Sequence, residues 1–474
     1  MSVTIRLTIG AVCVIVSACA VGPNYVPPKA PAGSDAPLVS YSPDAETQDE
    51  TPDAWWRLYN DPALDALLKQ AFAANEDLKA AEANLSAARA ILEAARVAQY
   101  PATEIAAAGL YGRDPTTEEI LLLTGQNLTK GWIFDALIDL SYEVDLFGRV
   151  RRSIEAARAD AGAVAAARDA VKVTVAAETA RAYADVCATG EEIAVAERNL
   201  SLVSREAKIT EARNVAGANS EFDVVRAQAL VAQVRATIPP LEGQRRAALF
   251  ELTALIGRTP SAAPRDTLSC AAAPHLASLM PVGDGAQLLR RRPDVREAER
   301  TLAAATAQIG VATADLFPRI HLTGFYGAAT LDRINLLGTN DAEVWGAGPT
   351  ITWQFPNIAG PLASIHRAKS NATGALARFD SVILQALKET EQTLSIYRAE
   401  LDHHQALLVF QGKTRRAFEL ARHQFSAGSV SNLDLLTAEQ SLVTAEGQVA
   451  EADAAIVQDQ IAVFKALGGG WGGG

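Results

Sequence analysis

Val16-Ser17-Ala18-Cys19 closes a leader in which Arg6 supplies the positive charge and Leu7 to Val16 the apolar run. Small residues before a cysteine have the form of a bacterial lipobox, where the cysteine is needed because its thiol takes the diacylglycerol. A covalent lipid on Cys19 is the one chemical addition expected; no cofactor is. The competing reading is an ordinary signal peptide that happens to contain a cysteine. Ala20 follows; an Asp there would be an inner-membrane retention signal, so its absence points to the outer membrane. More than one acyl chain on a residue gives stable anchoring.

The other chemistry-bearing residues form no constellation. His403 and His404 are adjacent, so on a helix they do not share a face as i and i+4 would, and they read as a surface pair. There is no H-E-x-x-H and no G-x-S-x-G. No metal site and no catalytic residue is expected, and the chain reads as a non-enzyme. Cys187 and Cys270 lack C-x-x-C spacing. Cys187 lies in an apolar helical stretch and reads as a small core residue, so free thiols are expected rather than a disulfide. A net charge of −12 gives no global basic signature for nucleic acid. The clusters Arg149, Arg151, Arg152 and Arg290 to Arg292 read as solvated positions flanking helix ends. The terminal GGGWGGG reads as a flexible tail; no Gly-Lys-Ser/Thr makes it a phosphate loop.

The elements that position these residues come twice. DLKAAEANLSAARAILEAARVAQYP (77–101) returns as DVREAERTLAAATAQIGVATADLFP (294–318), with Leu78, Leu85 and Leu92 standing where Val295, Leu302 and Ile309 recur every seven residues. Gly109-Leu-Tyr-Gly112 returns as Gly324-Phe-Tyr-Gly327, and Gly217-Ala-Asn-Ser-Glu-Phe-Asp223 as Gly428-Ser-Val-Ser-Asn-Leu-Asp434. The chain is therefore one unit of roughly 210 residues used twice. Hydrophobic residues are 49% and aromatics 6%, with alanine prominent, which suits helices packed closely through small side chains.

The expected organisation is a signal peptide at 1–18, an extended lipid-anchored segment at 19–60 without a core of its own, a first repeat at 61–258, a linker at 259–283, a second repeat at 284–467 and a tail at 468–474. Trp55 and Trp56 are aromatic anchors before the Asp61-Pro62 cap, and helix one runs to about Gln99. Alternation predicts strands at about 103–112 and 132–144, then 319–327 and 344–355, each pair a hairpin with a long loop. Very long helices follow, about 151–214 and 362–426, on the order of 95 Å each if unbroken. Gly217 and Gly428 end them, and Ser220 and Ser431 cap the helices that return. No run of twenty apolar residues follows residue 20, so no helix spans a membrane. Four strands are too few to close a barrel alone; three copies would supply twelve.

Cys19-Ala-Val-Gly-Pro-Asn-Tyr25, Trp55-Trp56, Asp145-Leu-Phe-Gly-Arg149, Arg291-Arg-Pro-Asp-Val295 and Lys465-Ala-Leu-Gly-Gly-Gly-Trp471 resemble the outer-membrane factors of tripartite efflux and secretion systems, the TolC-like family, in its NodT-type lipoprotein branch. The resemblance covers nearly the whole mature chain. It implies a mainly α fold with a β-barrel part, a homotrimer whose twelve strands form one outer-membrane barrel, and a helical barrel continuing through the periplasm. It implies as partners outer-membrane lipid, a periplasmic adaptor protein and an inner-membrane efflux pump of the RND class. It also implies a periplasmic gate at the Gly-turn hairpins, ringed by acids. Carried over by position, the gate residues are Asp434, Leu433 and Thr437, with Asp223 as the first-copy partner. Relatives commonly have an acid at the position of Thr437, so one acidic ring is expected rather than two, and Gln440 stands where some relatives have a basic residue. The function implied is a passive exit duct. The alternatives are a periplasmic coiled-coil scaffolding lipoprotein, the outer-membrane duct of a type I secretion system and, disfavoured by the missing catalytic constellation, a lipid-anchored hydrolase.

Overall fold

A computed structural model describes residues 20–112, 130–331 and 342–471. The leader, Cys19 and most of both hairpin loops lie outside the described residues. In chain order the elements are β1 (Glu46–Thr47), α1 (Pro62–Ala74), α2 (Glu76–Val97), β2 (Ala102–Gly112), β3 (Gly131–Val144), α3 (Arg149–Val215), α4 (Glu221–Leu255), β4 (Met280–Pro281), α5 (Gly285–Arg291), α6 (Pro293–Ala314), β5 (Arg319–Leu331), β6 (Glu343–Thr352), α7 (Ala359–Ser426) and α8 (Asn432–Ala466). The molecule is mainly helical with one four-stranded sheet. Its contacts divide it into two compact units: Met1–Pro28 with Leu85–Val164 and Ala298–Phe379, and Lys29–Asn84 with Ala165–Glu297 and Asp380–Gly474.

The first unit holds the sheet. Its order is β2-β3-β5-β6, antiparallel throughout, with Ile105 opposite Ile138, Ile138 opposite Tyr326 and Tyr326 opposite Trp345. β3 leads into α3 through Asp145, whose two carboxylate oxygens accept from the amides of Val150 (3.0 Å) and Arg151 (2.9 Å). That places an acid at the positive end of the helix. Leu92, Val150, Ile154 and Ala161 form a small core here. Phe147 stacks on Phe317 with ring centroids 4.5 Å apart.

The second unit holds the larger core. Trp55 is fully buried in a short 3-10 turn and stacks on Phe464 at 4.8 Å. Ala176, Ala180, Ala182 and Ala184 of α3 are buried around it, the close packing that a small-residue helix allows. The heptad positions Leu78 and Val295 of this unit are buried, as are Leu85, Leu92, Leu302 and Ile309 of the first. α3 and α7 are 67 and 68 residues long, on the order of 100 Å each at ~1.5 Å per residue.

Several expectations need correction. Cys187 and Cys270 form a disulfide, with Cα atoms 4.9 Å apart across a sequence separation of 83. Gly190 lets the linker come this close, since a Cβ there would sit 2.5 Å from the Cys270 carbonyl. The first helix is not continuous to Gln99: it stops at Asn75, whose side chain caps the next helix by accepting from the Leu78 amide at 3.0 Å. Segment 19–60 is extended for much of its length, but Leu38, Trp55, Trp56 and Tyr59 join the main core, and β1 pairs in parallel with β4 of the linker.

Arg152 and Arg292 are 4% and 8% exposed, not solvated. Arg292 donates to Asp294 (2.7 Å), Glu389 (2.9 Å) and the Ala466 carbonyl (2.8 Å), and Arg291 donates to Asp53 at 2.6 Å. The tail is docked as far as Trp471. Trp471 Nε1 donates to the Arg291 carbonyl at 3.1 Å, Arg296 lies over its ring, and Gly468 and Gly470 take φ of +70° and +111° against Arg292 and Trp55. A side chain at these glycines would be strained and would meet those neighbours.

Candidate functional site

In the first unit the register sorts the sheet into two faces. Ile105, Tyr111, Phe134, Ile138, Leu140, Leu322, Tyr326, Trp345 and Ile351 share one face, and the other carries the charged and hydroxyl side chains Glu104, Asp135, Asp139, Ser141, His321, Thr323 and Thr350 interspersed with Leu110, Ile133, Leu137 and Phe325. Side chains alternate across a strand, so this segregation is written directly in the period of two. The apolar face is exposed: Ile105 is 78% and Trp345 72% accessible. A row of large apolar side chains in water would be unfavourable, whereas an outward apolar face and an inward polar one are what a membrane strand requires. Within the chain β2 and β6 each pair on one side only, and an unpaired strand edge in lipid is costly.

The residues that follow the lipobox pack against the segments that flank this sheet. Val21 donates its amide to the Phe147 carbonyl at 3.1 Å. Buried Arg152 donates to the carbonyls of Val21 (3.2 Å) and Gly22 (3.3 Å) and to Asn24 Oδ1 (2.8 Å). Tyr25 donates to Glu299 at 3.0 Å. Gly22, at φ +89°, passes so close to Gly310 that a Cβ would lie 2.5 Å from its Cα. Residues 21–25 are thus held by specific contacts, and Cys19 is two residues upstream of the first of them, outside the described residues.

In the second unit the two Gly turns are built alike. Gly217 and Gly428 take φ of +72° and +74°. The amides of Ala218 and Ser429 donate back to the carbonyls of Arg213 (2.8 Å) and Gln424 (2.9 Å), the 6→1 bond of a Schellman end. Ser220 with Asp223, and Ser431 with Asp434, then form capping boxes. Asp434 Oδ2 accepts from the Ser431 hydroxyl (2.6 Å) and amide (3.0 Å). These bonds hold its carboxyl below the ordinary range, so it is ionised at neutral pH and exposed. Asp223 is lowered by its Ser220 bonds, with a further contribution from the Asn432 amide of the other turn. Leu433 is 46% exposed, and the Thr437 hydroxyl donates to the Leu433 carbonyl at 2.8 Å. Arg213 lies 4.2 Å over the Phe425 ring, and Thr210 of α3 donates to Asn432 of α8 at 3.5 Å. Both turns are therefore brought together within one chain. The fold shows what the cap acids do for their helices; nothing in a single chain places them around a pore.

The chain matches the family model "Outer membrane efflux protein" over residues 67–258 and again over 285–469. It belongs to the outer membrane efflux protein family. Among its relatives are Nodulation protein T of Rhizobium leguminosarum bv. trifolii, 30% identical over 92% of this chain and 91% of that one, and the probable efflux pump outer membrane protein TtgC of Pseudomonas putida, 28% identical over 98% and 95%. The solved structure of the outer-membrane channel OprN superposes with a TM-score of 0.86 at 32% identity, covering 96% of this chain and 100% of that one. The resemblance read from the motifs is correct. An outer membrane efflux protein must cross lipid, and among the described residues no helix is long and apolar enough to do so, which leaves the two-faced sheet as the described element suited to the task.

Sequence reasoning passed over Glu439. It is 1% exposed on α8, between Leu435, Leu436 and Leu442. The signal was available: an acid stands where the i, i+3, i+4, i+7 stripe of that helix calls for an apolar residue.

Proposed function

We propose that this outer membrane efflux protein is a passive exit duct, a homotrimer that receives substrates from an inner-membrane pump of the RND class through a periplasmic adaptor and catalyses no reaction. The observation that carries this reading is the sheet with one apolar and one more polar face and an unpartnered edge on β2 and on β6. Three copies edge to edge give twelve strands, an even number within the range of such barrels. The lipid face is then Ile105, Ile138, Tyr326 and Trp345, and the lumen carries Glu104, Asp135 and Asp139. The matched order of strands, long helix, Gly turn and capped return helix supports an internally duplicated unit, with the helices continuing the barrel into the periplasm. The gate is at the Gly217 and Gly428 turns, with one acidic ring at Asp434, apolar closure at Leu433, and Thr437 and Asp223 beside them. Cys19 carries the lipid.

The test is the mass of the detergent-extracted particle by light scattering with detergent contrast. Three chains per particle are expected. A monomer would leave four strands unable to close a barrel and would overturn the reading.

A further inference from the structure

Glu439 is the largest unexplained polar group in the helical tip. Its side chain is almost wholly buried and its Oε1 has no hydrogen-bond partner among the described residues. Its neighbours along the buried stripe of α8 belong to two apolar clusters: Leu436 packs with Val203, Ala227, Leu230 and Val234, and Leu435 and Leu442 with Phe418 and Phe425. The helices packed around it are α3, α4 and α7. From α3 the charged group bearing on it is Glu206, which lies one turn before Thr210, the residue bonded to Asn432 at the start of α8. On the other two helices Arg226 of α4 lies over Phe222, and on α7 Arg415 pairs with Glu446 while Arg422 lies over Phe418. Among the described residues neither Glu439 nor Glu206 has an ion-pair partner. Burying an unpaired carboxylate costs far more than burying its protonated form.

We propose that Glu439, with Glu206 near it, forms a proton-dependent latch between α8 and α3: with a proton on Glu439 the two helices pack, and without it an unpaired carboxylate is left buried among apolar side chains and the helices part. This rests on the reading of the tip as the gate. Burial, then Glu206, pushes Glu439 from its ordinary 4.5 up to about 7. The packed tip thus binds more protons than the parted one between those values, so its stability is full below the lower value and falls as pH rises through about 7.

The test is hydrogen exchange of the full-length protein in detergent, read on peptides covering 200–212 and 432–446 and corrected for intrinsic rate. Protection in the wild type is expected to fall about tenfold or more from pH 5.5 to 8. In Glu439→Gln, which keeps volume without titrating, the fall disappears. In Glu206→Gln the transition moves to lower pH. A wild type with flat protection, a Glu439→Gln curve that follows the wild type, or an unmoved Glu206→Gln curve each overturns the latch. Bilayer conductance over the same pH range separates the two ideas. A rise present in the wild type and absent in Glu439→Gln ties latch to gate, whereas protection that responds while conductance stays flat supports the latch and overturns the gate at this tip.

Discussion

Asp434 has two duties to separate, because the carboxylate that would line a gate also closes the capping box of α8. Substitution by alanine removes both. Asparagine keeps an oxygen able to accept from Ser431 while removing the charge, so Asp434→Asn isolates electrostatics. In planar bilayers Asp434→Asn is expected to lower cation over anion preference several-fold with little change in resting conductance, since a ring of carboxylates favours cations. Asp434→Ala is expected to raise resting conductance as well. Because the Ser431 bonds lower this carboxyl, the preference is present above the ordinary carboxylate range and is lost only as pH falls through the lowered value. Selectivity unchanged in both variants would remove Asp434 from the gate. Residue-scale features legible in the sequence were those with local causes: Gly217 and Gly428 at positive φ, and Ser220 and Ser431 at caps. Those that were not legible depend on distant partners. Arg152 reads as a solvated cation until Val21, Gly22 and Asn24 are folded onto it, and Cys187 as a lone thiol until Cys270 arrives 83 residues later. Closing a loop of that length is worth up to about 4.5 kcal/mol in the chain-entropy account.

At the scale of elements, periodicity carried most of the information. Period two marked the strands, period seven the buried seams of α2 and α6, and glycine with serine the ends of the long helices. The helix expected to return after Ser220 is α4, which runs unbroken from Glu221 to Leu255 through Pro239 and Pro240. Each proline removes a helical hydrogen bond and clashes with the preceding turn, so the helix persists there because both flanks are fixed, by buried Leu230 and Val234 before and Leu249 and Leu252 after. The sheet gives a sharper prediction. Ile138 and Asp139 are neighbours in β3 on opposite faces. Ile138→Lys puts a charge on the proposed lipid face, at about 2–4 kcal/mol near the bilayer midplane, and is expected to cut the yield of assembled, heat-modifiable protein severely. Asp139→Lys puts the same charge in the lumen and is expected to assemble normally while shifting ion selectivity toward anions. Equal assembly of the two variants would mean that the faces do not separate lipid from water.

For the whole molecule, the family relationship and the lipobox raise a question of anchoring, since an assembled barrel and an acyl chain would both hold the protein at the outer membrane. Each buried CH2 of a lipid chain contributes about 0.8 kcal/mol, and a single chain gives only reversible attachment. A closed barrel leaves no strand edge and buries its apolar band in hydrocarbon, so it does not depend on the lipid to stay. Residues 21–25 are moreover held through Arg152, Gly22 and Tyr25, contacts that do not involve the thiol of Cys19. Cys19→Ala is therefore expected to abolish metabolic labelling with palmitate, while a substantial part of the protein still fractionates with the outer membrane as the same oligomer. Labelling that persists in Cys19→Ala would place the lipid on another residue. Protein that loses its label and also its membrane fraction would show that the lipid, rather than closure of the sheet, does the anchoring, which is the outcome a scaffolding lipoprotein would give.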